Sequence, residues 1–331
     1  MNSFPLLIAI VFITLAFDFS NGWHDAANSI ATIVSTRVLK PLWAVLWAAF
    51  WNFVAAFIFG TAVAKTIGGG LVRIEMVSEY VLIAGLLGAI SWNLFTLILG
   101  LPTSSSHALM GGYGGAALSS AGTAAIIGKG WVNPILFIFL APFIGLIIAV
   151  IVTVITSWAV HEHPPQRVDK WFRRLQLVSA AGYSLGHGSN DAQKSMGIIT
   201  AALMASGLIS KDVVPYWVIV ICYLAMAGGT MAGGWRVVRT MGQRITKLNP
   251  FGGFSAETSA AITLLGTAHF GIPVSTTHTI TGAIVGVGAS RRMTAVRWGV
   301  TRRIVWAWVL TIPGAGLMGV LLEHVLRFWS H

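Results

Sequence analysis

Charged side chains are scarce in this sequence: Asp, Glu, Lys and Arg make up 9% of its 331 residues, against roughly 25% in a typical soluble domain. So few charges cannot clothe a water-soluble surface, and a hydrophobic content of 56% fits a chain whose solvent is lipid. Cysteine is scarcer still. The single Cys222 excludes an intramolecular disulfide framework and, lying in an apolar run, reads as a packing residue. No Gly-rich nucleotide loop of the Walker type occurs, so any uphill work has to draw on an ion gradient. Residues 4–16 are apolar but have neither a basic stretch before them nor a small-residue cleavage site after them, so they read as a first span and not as a signal peptide.

Long apolar runs are abundant. Pro41 to Thr66, Val132 to Val160, Val213 to Gly233 and Ile304 to Leu326 each exceed the ~20 residues that cross a bilayer as helix. In a soluble protein a net charge of +11 would suggest nucleic acid. Here most of the cations fall in four clusters: Arg37 and Lys40; Arg167, Lys170, Arg173 and Arg174 beside Pro164 and Pro165; Arg236, Arg239, Arg244 and Lys247; and Arg291, Arg292, Arg297, Arg302 and Arg303. Placing all four on the cytoplasmic side satisfies the positive-inside rule and leaves Lys65, Arg73, Lys129, Lys211 and Arg327 outside. Lys194 alone falls in an apolar region. The expected topology is five crossings, a basic linker and five more, with both termini outside a bacterial inner (plasma) membrane. The expected fold is therefore all-α and polytopic, with two inverted repeats over 1–160 and 175–331 joined by a linker at 161–174. Each half would hold a broken span, a plain span, a descending segment, a short re-entrant return and a closing span. Irregular backbone within a bilayer is tolerated where it lines a cavity, so the broken and returning segments should mark a substrate path. The 14 Trp residues suit interface belts and packing.

Two polar motifs recur in each half. Asn21-Gly22-Trp23-His24-Asp25-Ala26-Ala27-Asn28-Ser29 aligns with His187-Gly188-Ser189-Asn190-Asp191-Ala192-Gln193-Lys194-Ser195, pairing Asp25 with Asp191. Pro102-Thr103-Ser104-Ser105-Ser106-His107 aligns with Pro273-Val274-Ser275-Thr276-Thr277-His278, pairing His107 with His278. From Asp to Pro the spacing is 77 residues in one half and 82 in the other. A proline in the first turn of a helix, with clustered hydroxyls and unpaired N–H groups, presents a donor-rich surface suited to a tetrahedral oxyanion. Carboxylates at the same place would repel a bare anion, so cations or protons have to complete the site. An ionised carboxylate within a span costs about 2.5 kcal/mol or more, which makes a structural role for Asp25 and Asp191 expensive. Isolated Ser, Thr and Gly residues are ordinary helix contacts in membranes, and one hydroxyl motif alone would prove little. Asp18 could be a structural residue of the broken span. A catalytic reading fails because Ser106 and His107 are neighbours on diverging sides of a helix, a poor nucleophile and base.

These blocks, Phe17 to Lys40, Leu101 to Leu118, Gly186 to Gly197 and Gly234 to Arg292, resemble the inorganic phosphate transporter family of bacterial low-affinity type over nearly the whole chain. The resemblance implies secondary active symport of phosphate by alternating access, coupled to protons or sodium, in an often dimeric protein. Phosphate could travel as a complex with a divalent metal, and no resident cofactor is expected. By resemblance, Asp25, Asn28, Asn190, Asp191, Ser195 and the hydroxyls of Ser104, Ser105, Ser106, Ser275, Thr276 and Thr277 fall at substrate or ion positions. Coupling ions or protons would concern His24, Asp25, His107, Asp191, Lys194, Glu257 and His278. Sodium-coupled members resemble Gly-x-Asn-Asp-x-x-Asn in both halves, whereas His24 and Lys194 replace an Asn here, as in bacterial proton-coupled members. Lys194 would act as a built-in cation beside Asp191, with His24 as the titrating partner of Asp25. A sulfate permease of the same fold is the near alternative and a passive anion channel the distant one. Phosphate near neutral pH keeps a proton to donate to a buried carboxylate, which sulfate lacks.

Overall fold

The computed structural model describes residues 4–61, 63–64, 70–73, 76–210, 213–270, 272 and 274–329. Lys65, Lys211 and Pro273 lie outside the described residues. The first half supplies α1 (Phe4–Ser35), α2 (Pro41–Ile58), α3 (Glu79–Leu99), α4 (Ser105–Ala121) and α5 (Gly128–Ala159). The second supplies α6 (Pro165–Ala205), α7 (Tyr216–Ala232), the short α8 (Trp235–Arg239), α9 (Pro250–His269), α10 (Thr276–Arg291) and α11 (Trp298–Trp329). A π-turn at Thr240–Arg244 continues α8. By length and composition α1, α2, α3, α5 and α11 can each cross a membrane, while α4 and α10, with 17 and 16 residues, are too short to do so alone. On α5 the residues Phe139, Phe143, Ile147, Ile151 and Ile155 form an exposed stripe at fourfold spacing, the face a span turns to lipid. The molecule is a multi-pass helical membrane protein.

The broken span is not where the sequence placed it. The Asp motifs lie within continuous helices, α1 of 32 residues and α6 of 41, because their polar side chains meet partners on neighbouring helices and leave the backbone ladder intact. Among the described residues the break falls instead at Gly233 and Gly234, where α7 and α8 meet at 63° and Gly233 takes a φ of 63°. The basic linker is also mostly helix. Pro164 and Pro165 start α6, with proline in its first turn, where the missing N–H and fixed φ suit a helix start. Arg167 through Arg174 therefore ride on its opening turns.

The repeats are interlocked. The return helix α4 packs on the closing helix α11 of the other half, and its counterpart α10 packs on α5. In the same way α1 contacts α7 while α6 contacts α2. Two equivalent glycines permit the α4 and α10 contacts: a Cβ on Gly111 would lie 2.4 Å from the Ile312 carbonyl oxygen, and one on Gly282 would lie 2.1 Å from that of Pro142.

Candidate functional site

The Asp motifs of α1 and α6 face each other across the middle of the bundle. Carboxylate oxygens of Asp25 and Asp191 and a ring nitrogen of His187 lie within 4.8 Å of one another, and all three residues are buried. His24 Nδ1 is 2.7 Å from Asp25 Oδ1, while His24 Nε2 lies 3.1 Å from Thr96 Oγ1 and 3.3 Å from Thr103 Oγ1. Asp191 accepts from the Lys194 ammonium and from Thr276 Oγ1 at 3.0 Å, and His187 Nε2 stands 3.2 Å from it. Two carboxyl groups and one amine therefore meet at this centre, with two histidine rings beside them.

Each hydroxyl motif begins a helix. Ser104 Oγ accepts from His107 N at 3.3 Å and Ser275 Oγ accepts from His278 N at 3.2 Å, so serine is the N-cap of both α4 and α10. Pro102 precedes that cap by two residues and is not in the helix. The expected proline start is thus replaced by a serine cap, whose oxygen satisfies a backbone donor that proline's ring cannot reach. Ser105, first residue of α4, has a buried Oγ with no hydrogen-bond partner.

The halves tie to each other through these starts. Asn28 Nδ2 donates to Thr277 Oγ1 at 2.8 Å, and at the repeat-equivalent place Lys194 Nζ donates to Ser106 Oγ. Thr277 Oγ1 also stands 3.5 Å from Asp25 Oδ1. The same contact is thus made twice, once with a neutral amide and once with a charged ammonium. A cavity of about 390 Å³ reaches this place from the end of the bundle that carries Glu79 and Lys129, and Lys194, Ser106, His107 and Ser275 line its inner part.

Other expected residues sit elsewhere. Ser195 Oγ donates to Asp18 Oδ1 at 2.5 Å and not to the Asp25 and Asp191 centre. Asn190 Nδ2 donates to the Leu264 carbonyl at 3.2 Å, leaving its Oδ1 buried and unpartnered. Glu257 lies between α9 and α6, accepting from Ser179 Oγ at 2.5 Å and Gln176 Nε2 at 3.0 Å. His278 stacks on Trp308 at 4.0 Å, and the Trp308 indole donates to the Pro102 carbonyl at 2.9 Å. Sequence reasoning gave no role to His187, although it stands four residues before Asp191 on one helix face. Thr96 and Trp308 carried no signal of their own, since both come from plain apolar helices.

Inverted repeats enclosing a buried charged centre, with two short helix starts aimed into it and a cavity leading there from one end, define a membrane carrier of the inverted-repeat class. A profile of the Phosphate transporter family matches residues 21–167 and again 159–319, the second match restating the duplication. The chain belongs to that family. It is 53% identical over 320 residues, 96% of each chain, to a Rhizobium meliloti protein named "Probable low-affinity inorganic phosphate transporter". A Bacillus subtilis protein of the same name is 44% identical over 325 residues, 97% of each chain. A solved structure titled "The sodium-dependent phosphate transporter" superposes with a TM-score of 0.88 at 25% identity, covering 98% of this chain and 99% of that one.

Proposed function

We propose that this protein is a secondary carrier of inorganic phosphate that works by alternating access, with the anion held between the starts of α4 and α10 and its charge balanced by cations at Asp25 and Asp191. The observation that carries the reading is the reciprocal tie of Asn28 to Thr277 and Lys194 to Ser106. Each carboxylate helix holds the hydroxyl start of the opposite half, so filling the site and closing it are mechanically one event. A tetrahedral anion placed there would take donors from Ser105, Ser106, Thr276 and the Lys194 ammonium, and it would compete with Asp191 for that ammonium. The spare negative charge must then be met by an incoming cation. Lys194 already fills one cation position, which favours protons over a full set of sodium ions for the rest. If phosphate arrives complexed with a divalent metal, the oxygens of Asp25 and Asp191 and the His187 nitrogen form a donor set that could take that metal with its cargo.

This reading puts the basic helix ends on the cytoplasmic side of the plasma membrane and both termini outside. The cavity then faces outward. Labelled phosphate uptake into proteoliposomes, with sodium and pH gradients imposed separately, tests it: accumulation driven by the pH gradient is expected. Downhill flux without accumulation under either gradient would make the protein a channel, and equal uptake of sulfate would remove the substrate assignment.

A further inference from the structure

Asp18 is a further ionisable group in the buried interior, apart from the site just described. It lies on α1 about two turns before Asp25 and is fully buried. Its Oδ1 accepts from Ser195 on α6, and its Oδ2 has no hydrogen-bond partner. From α7 the Cys222 thiol faces the same carboxyl, with the Tyr223 phenol nearby. Cys222 belongs to an apolar cluster with Met196 and Met226. From α6 the charged groups facing it are Asp191 and Lys194. The titratable groups of α3 stand in its first turn, at Glu79 and Tyr80, and those of α1 are His24 and Asp25. Among the described residues no cation stands against Asp18 as Lys194 stands against Asp191.

A carboxylate faced by one hydroxyl and one weak thiol donor, with no cation against it among the described residues, is costly within a bilayer span. The same group carrying a proton is neutral, and its second oxygen then becomes a donor. Lys194, the residue before Ser195 on α6, lines the inner part of the cavity, so the cavity end lies on the helix that Asp18 is bound to. The Asp18 to Ser195 bond also spans the α1 and α6 contact, the surface between the helices that carry the two Asp motifs. A movement there changes what Asp18 faces.

We propose that Asp18 is a proton-exchange site of the carrier, binding a proton from the side to which the cavity is open and releasing it when the α1 and α6 contact rearranges. The step is plain acid chemistry: water at the cavity gives a proton to the carboxylate, and water on the other side takes it back. The inference rests on the reading of the chain as an ion-coupled phosphate carrier.

The test compares wild type, Asp18→Asn and Asp18→Glu in proteoliposomes by two measurements, phosphate self-exchange at equal pH and phosphate accumulation under an inward proton gradient. Asparagine keeps the acceptor for Ser195 but cannot titrate. Asp18→Asn should exchange phosphate at a rate within about threefold of wild type. It should also lose the accumulation that one pH unit sustains, about tenfold per coupled proton. Asp18→Glu should restore part of that accumulation. Accumulation by Asp18→Asn equal to wild type would overturn the proposal. So would loss of exchange together with accumulation, which would assign Asp18 to holding α1 against α6. A wild-type protein that exchanges no phosphate would instead overturn the phosphate reading, and this inference with it.

Discussion

His107 and His278 lie ring against ring, with centroids 5.0 Å apart and planes inclined by 47°. They are the same position in the two repeats. A residue can touch its own counterpart only where the axis relating the halves passes between them, so this contact marks the centre of the inverted symmetry. The hydroxyl starts of α4 and α10 lie on either side of it, each capped by a serine three residues before its histidine.

The two carboxylates should both be needed for transport but should differ in what they do for the fold. Asp25→Asn and Asp191→Asn are each expected to abolish concentrative uptake. Asp191→Asn also leaves the buried Lys194 ammonium without its carboxylate, a change that costs about 3–5 kcal/mol when a buried pair is broken. Asp25→Asn strands no such fixed charge, since its neighbour His24 can be neutral. Thermal unfolding in detergent should therefore show a clearly lower Tm for Asp191→Asn, and equal Tm values would contradict the pairing.

Lys194→Asn rebuilds in the second half the neutral arrangement that Asn28 makes in the first. The missing charge then has to come from solution. Uptake by this variant should fall at low sodium and recover as sodium is raised, with wild type showing no such requirement. A variant whose ion dependence matches wild type would show that Lys194 is a structural tie.

The serines of the first hydroxyl motif should separate into two kinds. Ser104→Ala, and Ser275→Ala in the other half, remove helix caps and should lower stability by about 1 kcal/mol. Ser105 has no partner to lose, so Ser105→Ala should leave the Tm unchanged. If phosphate uses that hydroxyl, its loss should weaken apparent affinity by up to about tenfold, the worth of one neutral hydrogen bond. Uptake titrations on the same preparations would read both effects.

Gly111→Ala and Gly282→Ala should each force apart a helix pair that joins the two halves, because the added methyl meets a backbone carbonyl that no rotamer change can move. Overpacking of this kind costs about 1–3 kcal/mol. Both variants should give reduced yields of folded protein, seen as loss of the monodisperse peak in size exclusion. Normal yield from both would show that these contacts can yield.

Much of this was readable from the residues because a bilayer makes polar side chains conspicuous. Asp25, Asp191 and Lys194 stand out in apolar runs, and the repeat spacing pairs the two Asp residues. Continuity of α1 and α6 was not readable. A polar stretch within a span can satisfy itself either by unwinding or by facing other polar side chains, and only the neighbours decide. The cap serines were hidden for a similar reason, since Pro102 offered a helix start of its own. Ser195 shared its motif with Asp191 but turns to Asp18, a direction fixed by helix rotation and not by composition. The contact of His107 with His278 needed the axis.

The exchange of partners between the halves bears on how such a chain could have come to exist. A half-length polypeptide would make α4 with Gly111 already shaped for a closing helix, but that helix would be its own α5, which the fold instead commits to the other half's α10. Its hydroxyl start would likewise wait for an Asp motif on a different helix. Such a piece could bury these faces only by meeting a second copy inserted the opposite way up, so the single-chain protein has the architecture of an antiparallel dimer whose subunits have been fused.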